Sequence, residues 1–411
     1  MMIKDLSPGE KVSFQTRDGS WVGHVLPSHD PEIILLKLES GYNIGIRERD
    51  ILDVRVLEKT TVALKKEVEL KKDSKLKNVA LVITGGTISS RLDPKTGGVI
   101  STDVEEILNI APEIKEICNI SKVVSPFMKL SENMSPSDWK KIAVECGKLL
   151  NDSDVDGVIL THGTDTLGYT GAALSFFIKD LNKPLAITYS QRSIDRGSTD
   201  ANLNLVCAAH FAVSDVAEVA IIGHEDSNDE FCLAIPACRA RKLHTSKRAA
   251  FEIVNGEAIA RISRVGLEML KSFNARDEKR KVKVDTKYDD KVAILKIYPG
   301  MDPEVIEYYL SKKYRGLVLE VFGLGQVPEV GSGNNLLPVI RKAVDKGVIV
   351  CATAGTIHGR LNPNVYSSGR NLEKTGIVFL EDMLSETAMV KLGWVLGHPM
   401  WKGMEREKLV E

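Results

Sequence analysis

A chain of 411 residues, 43% hydrophobic and 27% charged, has the composition of a folded globular protein and the length of two or three domains. Its 55 Lys and Arg nearly cancel 56 Asp and Glu, so no overall basic field exists to hold a nucleic acid. A protein of this charge that served an RNA would leave most of the grip to a partner.

No apolar run approaches the ~20 residues that cross a bilayer, and MMIKDLSPGEK lacks the apolar stretch of a signal peptide, so a cytoplasmic protein is expected. In chain order, GEKVSFQTRDGSWVGHVL (9–26) alternates apolar and polar positions around Asp18-Gly19, a hairpin signal. EIILLKLESGYNIGIRERDILDVRVLE (32–58) repeats the pattern with a turn near Ser40-Gly41. Short strands with tight turns predict a small antiparallel β-barrel over residues 1–60. Such a module binds a partner or an RNA, or merely caps its neighbour. A lysine- and glutamate-rich linker occupies 61–77.

From Asn78 the rhythm is strand, loop, helix. NVALVI, GVILTHG, KPLAITY and EVAIIG are apolar runs that end in small or polar residues, with helical segments such as PSDWKKIAVECGKLLN between them. This alternation predicts an α/β domain over 78–285, a parallel-type sheet with helices on both faces. After the charged interval NARDEKRKVKVDTKYDDK (274–291) the runs VAILKIY, RGLVLEVFG and GVIVCAT predict a smaller α/β domain over 286–411.

In such sheets ligands bind beyond the carboxyl ends of the strands. Two loops there are distinctive. NVALVI runs into Thr84-Gly85-Gly86-Thr87, and GVILT runs into His162-Gly163-Thr164-Asp165-Thr166. Glycines let backbone approach a ligand and expose amide donors. The phosphate-binding patterns GxGxxG and GxxxxGK[ST] do not match these loops. Thr and Asp at the start of a helix also serve as caps, so either loop alone reads as structure. Two glycine-threonine loops at successive strand ends, one with a carboxylate, read as a site. A third element, CRARKLHTSKRAAFEIVNG (238–256), is either a solvated basic surface or the source of an inward lysine with a tunable pKa. The six cysteines are scattered without CxxC pairing and read as reduced, packed thiols. Cys232 and Cys238 lie between His224 and His244, but the spacings fit no standard zinc site, and no metal is expected.

The motifs TGGTI (84–88) and HGTDT (162–166) resemble the two signature loops of the L-asparaginase family, over roughly residues 78–400. The N-terminal barrel with GYNIGI, the loop SQRSIDRGSTDANLN (190–204) and TIHGRLNPNVYSSGRNL (356–372) resemble one branch of it, the D subunits of archaeal glutamyl-tRNA(Gln) amidotransferases. That resemblance implies an asparaginase-like two-domain α/β fold and an amidase that releases ammonia from glutamine or asparagine. It implies an E subunit that binds Glu-tRNA(Gln), uses ATP and Mg2+, and receives the ammonia, within an α2β2 complex built on a homodimer. No cofactor is expected on this chain.

Carried over residue by residue, Thr87 matches the primary nucleophile, and Thr164, Asp165 and Lys242 match the second threonine and its activating pair. Ser131 in KLSENMS matches a serine that holds the substrate α-carboxylate, with Gly86, Glu132 and Gly163 lining the same pocket. Two positions depart from the family pattern. Glu132 stands where a neutral residue is usual, and RLDPKTGGVIS (91–101), which reads as a lid hinged at Asp93-Pro94 and Gly97-Gly98, lacks the usual tyrosine, with Gly98 near its place. By the same analogy, FGLGQVPEVGSG (322–333) reaches a neighbouring protomer's pocket. The alternatives are a free-standing asparaginase and a non-catalytic scaffold, and the four retained residues Thr87, Thr164, Asp165 and Lys242 argue against the scaffold.

Overall fold

The computed structural model describes residues 6, 9–26, 28, 30, 32–38, 43–58, 73–86, 88, 90–92, 99–101, 110–192, 198–329, 331 and 333–410. Strands β1 (Lys11–Thr16), β2 (Gly19–Leu26), β3 (Ile33–Leu38), β4 (Asn43–Arg47) and β5 (Ile51–Glu58) form an antiparallel sheet in the order β4-β3-β2-β1-β5. The period of two sends one residue set inward: Val12 and Phe14, Val25, Leu36 and Ile46 make a core that Val54 and Val56 of β5 complete. Every strand therefore contributes to one small interior.

The central sheet has eight strands among the described residues. They include β6 (Asn78–Ile83), β9 (Asn119–Val124), β10 (Gly157–Thr161), β12 (Leu185–Thr188), β13 (Val219–His224), β14 (Cys232–Pro236), β17 (Ala260–Ser263) and β18 (Gly266–Met269). Its order is β18-β17-β14-β13-β12-β10-β6-β9. Strands β9, β6, β10, β12 and β13 are parallel, while β14, β17 and β18 extend one edge antiparallel. That mixed edge is a finding the α/β rhythm did not predict. In β6, Ala80 and Val82 enter one core while Val79, Leu81 and Ile83 enter the other. This is why its sequence is apolar from Val79 to Ile83: both faces are covered, and each large side chain so buried contributes ~1.5–3 kcal/mol. Helices α1 (Ile114–Ile117) and α4 (Ala201–Ala212) cover one face, α2 (Pro136–Leu150) and α3 (Leu167–Phe177) the other. Helix α2 begins with a capping box between Ser135 and Asp138, with Pro136 in its first turn.

The predicted lid contains a hairpin, β7 (Ser90–Leu92) with β8 (Val99–Ser101); Asp93-Pro94 and Gly97-Gly98 lie outside the described residues. The charged interval 274–291 is not a free tether. Within it β19 (Lys283–Val284) pairs with β11 (Ile178–Lys179), and Tyr288 meets Trp139 and Phe177 edge-on at 5.7 and 6.0 Å. Beyond it, β20 (Val292–Lys296), β21 (Gly316–Val321), β22 (Ile349–Ala354) and β23 (Val378–Phe379) form a parallel sheet. Helices α5 (Glu304–Ser311) and α6 (Leu337–Asp345) cover one of its faces and α8 (Ser385–Leu396) the other, after the short α7 (Ser367–Glu373). Phe176 of α3 stacks on Trp394 of α8 at 5.8 Å, which joins the two lobes.

Candidate active site

Strands β6, β10 and β12 lie side by side and parallel, so the segments that follow them emerge at one edge. Backbone bonds then stitch these segments together. The Thr84 amide and hydroxyl both donate to the Thr161 carbonyl, at 3.3 and 2.8 Å. The Lys129 amide donates to the Thr84 carbonyl at 3.0 Å, and the His162 amide to the Thr188 carbonyl at 3.0 Å.

The two glycines after Thr84 adopt positive φ, +113° at Gly85 and +83° at Gly86. A Cβ on Gly85 would overlap the Lys129 carbonyl oxygen; one on Gly86 would lie 2.5 Å from Gly163 Cα and N. A Cβ on Gly163 would in turn lie 2.7 Å from Ser131 Oγ. The glycines thus permit three loops to converge with backbone against backbone, a packing requirement separate from any ligand.

The residues that converge carry the chemistry. Ser131 is buried; its Oγ accepts the Asp165 amide at 3.1 Å and its carbonyl accepts the Thr166 hydroxyl at 2.7 Å. Lys242 Nζ donates to Thr164 Oγ1 at 2.8 Å and pairs with Asp165 Oδ1 at 2.9 Å. Side-chain exposure divides their roles, 18% for Lys242 against 58% for Asp165. The lysine is enclosed and the carboxylate faces open solvent. Lys242 arrives on a hairpin, β15 (Ala240–Lys242) with β16 (Phe251–Ile253). Six of the eight expected site residues are therefore within one cluster: Gly86, Ser131, Gly163, Thr164, Asp165 and Lys242. Glu132 is exposed on the 3-10 turn Ser131–Asn133. Thr87 lies outside the described residues, between Gly86 and the fully buried Ile88.

Two supporting groups were not singled out from the sequence. Lys129 Nζ donates to both oxygens of the buried Asp138, at 2.8 and 2.9 Å, and Asp138 also accepts the Ser135 amide and hydroxyl. Burial pushes the Asp138 carboxyl up, but these donors outweigh it and hold it below its usual value. The pair fixes the segment that carries Ser131. Its sequence signal was the capping pattern Ser135-x-x-Asp138. His162 is fully buried, and burial lowers its pKa to about 4. Its Nδ1 donates to the Gly163 carbonyl at 2.7 Å, so Nε2 accepts from the Thr170 hydroxyl at 2.9 Å. It is a neutral brace for the Gly163-Thr164 turn.

The residues that raised zinc have other partners. His224 bonds Asn204 and Asp229, Cys232 bonds Asn204, and His244 Nδ1 accepts the Ser246 and Lys247 amides. Among the described residues no group of three or more His, Cys, Asp or Glu is arranged to hold a metal ion. No helix among them is long and apolar enough to cross a membrane.

The chain also matches known families along almost its whole length. Residues 78–274 match the Asparaginase, N-terminal family, residues 291–409 the Glutaminase/Asparaginase C-terminal domain, and residues 6–57 the GatD N-terminal domain. The chain is 45% identical over 404 residues to the glutamyl-tRNA(Gln) amidotransferase D subunit of Thermococcus kodakarensis, covering 96% of this chain and 90% of that one. It is 44% identical over 405 residues to the protein so named in Pyrococcus furiosus, covering 96% and 89%. Among solved structures it resembles the thermostable L-asparaginase from Thermococcus kodakarensis (TM-score 0.71, 26% identity, 81% of this chain and 96% of that one). L-asparaginase I of Vibrio cholerae is similar (TM-score 0.67, 26% identity, 81% and 97%).

Proposed function

The chain belongs to the family of glutamyl-tRNA(Gln) amidotransferase D subunits, and from that premise we propose how its strand-end cluster releases ammonia. It is the amide-hydrolysing subunit of a tRNA-dependent amidotransferase, built on an asparaginase fold. The observation that carries the mechanism is the contact of Lys242 Nζ with Thr164 Oγ1 and Asp165 Oδ1 where two glycine-containing loops meet the segment that carries Ser131.

An amide is a poor electrophile and a threonine hydroxyl a weak nucleophile, so the step needs a base and a cradle for the oxyanion. Thr87, which follows Gly86, attacks the side-chain amide carbon of glutamine or asparagine. Loop amides stabilise the developing oxyanion; a donor of this kind is worth ~3 kcal/mol in other enzymes. The C–N bond breaks, the proton lost by the Thr87 hydroxyl ends on the nitrogen, which leaves as ammonia, and an acyl-threonine ester remains. Water adds to the ester, with its proton relayed along the Thr164 Oγ1–Lys242 Nζ contact to the Thr87 oxygen; the C–O bond to Thr87 breaks, its hydroxyl is restored and the acid product departs.

Substrate positioning follows from the same cluster. Ser131 Oγ accepts from Asp165 N–H and still has its own O–H to give to the substrate α-carboxylate. The exposed Asp165 carboxylate pairs with the α-ammonium, and Glu132 adds a second negative charge nearby. Gly86 and Gly163 supply backbone to the pocket wall.

The tRNA and the glutamyl activation belong to a partner E subunit, which uses ATP and Mg2+; this chain holds no cofactor of its own in the proposal. Two copies of each subunit form the complex, with the asparaginase-like lobes making a homodimer, in the cytoplasm. Charge supports this division: residues 6–58 hold six Lys and Arg against nine Asp and Glu, which ill suits a phosphate grip by the N-terminal sheet.

The test is ammonia release from glutamine and asparagine, with and without the E subunit, Glu-tRNA(Gln) and ATP, beside Thr87→Ala. Strong stimulation by the full mixture, abolished in Thr87→Ala, is expected. Rapid asparagine hydrolysis by the chain alone, indifferent to the additions, would make it a free-standing asparaginase and overturn the proposal.

A further inference from the structure

Among the described residues given a catalytic role, Thr164 and Asp165 follow a strand of the central sheet and Lys242 does not. It stands on the last residue of β15, paired across the hairpin with Phe251; the hairpin packs into its own lobe's core through Ala240 and Phe251 and is held from the C-terminal lobe as well. Neighbouring strand residues point to opposite sides, so Lys242 faces Thr164 while Arg241 faces away from them.

Arg241 reaches the C-terminal lobe. Its Nε lies 3.1 Å from Glu386 Oε1 and its guanidinium 4.0 Å from Glu320 Oε1. Glu386 is in the first turn of α8 and Glu320 near the end of β21. All three side chains are shielded, Arg241 at 27% exposure, Glu386 at 20% and Glu320 at 13%, so this contact is screened far less than a surface ion pair.

Further bonds bracket the hairpin at its base. Arg239 donates to the Asp382 carbonyl and carboxylate at 3.1 and 3.2 Å. Asn255 donates to the Gly359 and Asp382 carbonyls and accepts the Gly359 amide at 3.0 Å. The Thr387 hydroxyl donates to the Cys238 carbonyl at 2.9 Å. The anchors all come from one end of the C-terminal sheet: the end of β21, the loop after β22, and the segment from β23 into α8.

We propose that Arg241 is a positioning residue, and that through it the C-terminal lobe sets the reach of Lys242 toward Thr164 and Asp165. The lobe then does more than bury apolar surface. Its strand-end segments hold the base of the proton relay, and a shift of α8 or of the 355–360 loop alters turnover from the far side of the hairpin. With Glu386 and Glu320 sharing one guanidinium, loss of Arg241 leaves two shielded carboxylates without it, and the hairpin recoils from them. Lys242 moves with it.

This inference rests on the role given above to Lys242 in amide hydrolysis. The experiment measures kcat and KM for glutamine hydrolysis in the complete complex, with thermal unfolding alongside. The variants are Arg241→Gln, Arg241→Lys, Glu386→Gln, Lys242→Met and Arg315→Gln. The last breaks a different ion pair near the lobe boundary, Arg315 with Asp289 at 2.6 Å, at the opposite end of α8 from Glu386. Arg241→Gln is expected to lower kcat about 10- to 100-fold with KM little changed, as ~1 Å misplacement of a catalytic group does. Arg241→Lys should recover much of that loss, and Glu386→Gln should reproduce part of it.

Arg315→Gln should lower thermal stability without touching kcat. An Arg241→Gln enzyme with wild-type kcat overturns the inference. So does a loss no larger than that of Arg315→Gln at equal destabilisation. If Arg241→Gln does not fold, Glu386→Gln decides the same point: a wild-type kcat there overturns the inference too. Full activity in Lys242→Met would instead sink the reading of Lys242 itself.

Discussion

Replacing Gly86 with alanine separates two demands that the loop places on that position. The first is conformational. Gly86 has φ +83°, where an L-residue costs about 1–2 kcal/mol. The second is spatial: the new Cβ would lie 2.5 Å from Gly163 Cα and N, against the ~3.5–4.0 Å at which carbon atoms rest. The loops must part by about 1 Å, an overpacking strain of about 1–3 kcal/mol. Gly163 is itself backed by Ser131, and Thr164 and Asp165 move with it, away from Lys242 contacts of 2.8 and 2.9 Å. Misplacement by ~1 Å costs on the order of 100-fold in turnover. Gly347 is the control, with φ +81° and nothing within 4 Å of an added Cβ. In urea unfolding both alanine variants should lose the conformational part, and Gly86→Ala should lose about 3 kcal/mol in all. Only Gly86→Ala should lose amide hydrolysis. Near wild-type kcat in a folded Gly86→Ala protein, or equal activity losses in both variants, would refute the argument that loop convergence places the site.

Ser131→Ala should raise KM for glutamine about 10- to 100-fold with little change in kcat, since it removes one charge-assisted bond to a carboxylate that does not react; a kcat defect at constant KM would contradict that role. Buried His162 is neutral in the fold, with its pKa lowered from 6.5 to about 4 by burial, so the unfolded chain binds the extra proton. Its contribution is complete above pH 6.5 and is lost as pH falls toward 4, by about 3 kcal/mol at ~1.4 kcal/mol per pH unit. Urea unfolding across that window should show a steeper decline in the native protein than in His162→Gln, and parallel curves would count against it. Lys129→Met leaves the fully buried Asp138 with the Ser135 donors and, at 3.9 Å, Lys141, a loss of about 3 kcal/mol that Asp138→Asn in the same protein should partly restore.

The features legible in the sequence are those that local pattern encodes. NVALVI is apolar from Val79 to Ile83 because both faces of β6 are covered, and KVSFQT alternates because only one face of β1 is. The antiparallel edge was not legible, since CLAIP, ARIS and GLEM are too short to carry a period. Nor could the sequence say which residue of CRARKLHTSKR turns inward. That is decided by the pairing of Lys242 with Phe251 and by the carboxylates that take Arg241 to the other side. The Gly86–Gly163 contact joins segments that no window spans together.

The glycines show why this matters for function. Their presence in TGGT and HGT reads as backbone yielding to a ligand, yet Gly86 on Gly163 and Gly163 on Ser131 would be required by loop packing in a protein that bound nothing. They are weak witnesses to catalysis. A packing role does not account for a shielded lysine held on a threonine hydroxyl beside an exposed carboxylate, where hydrophobic residues of the same volume would cost less to enclose. Lys242, Thr164 and Asp165 therefore mark this edge for chemistry, and the glycines explain only how the three are brought within reach.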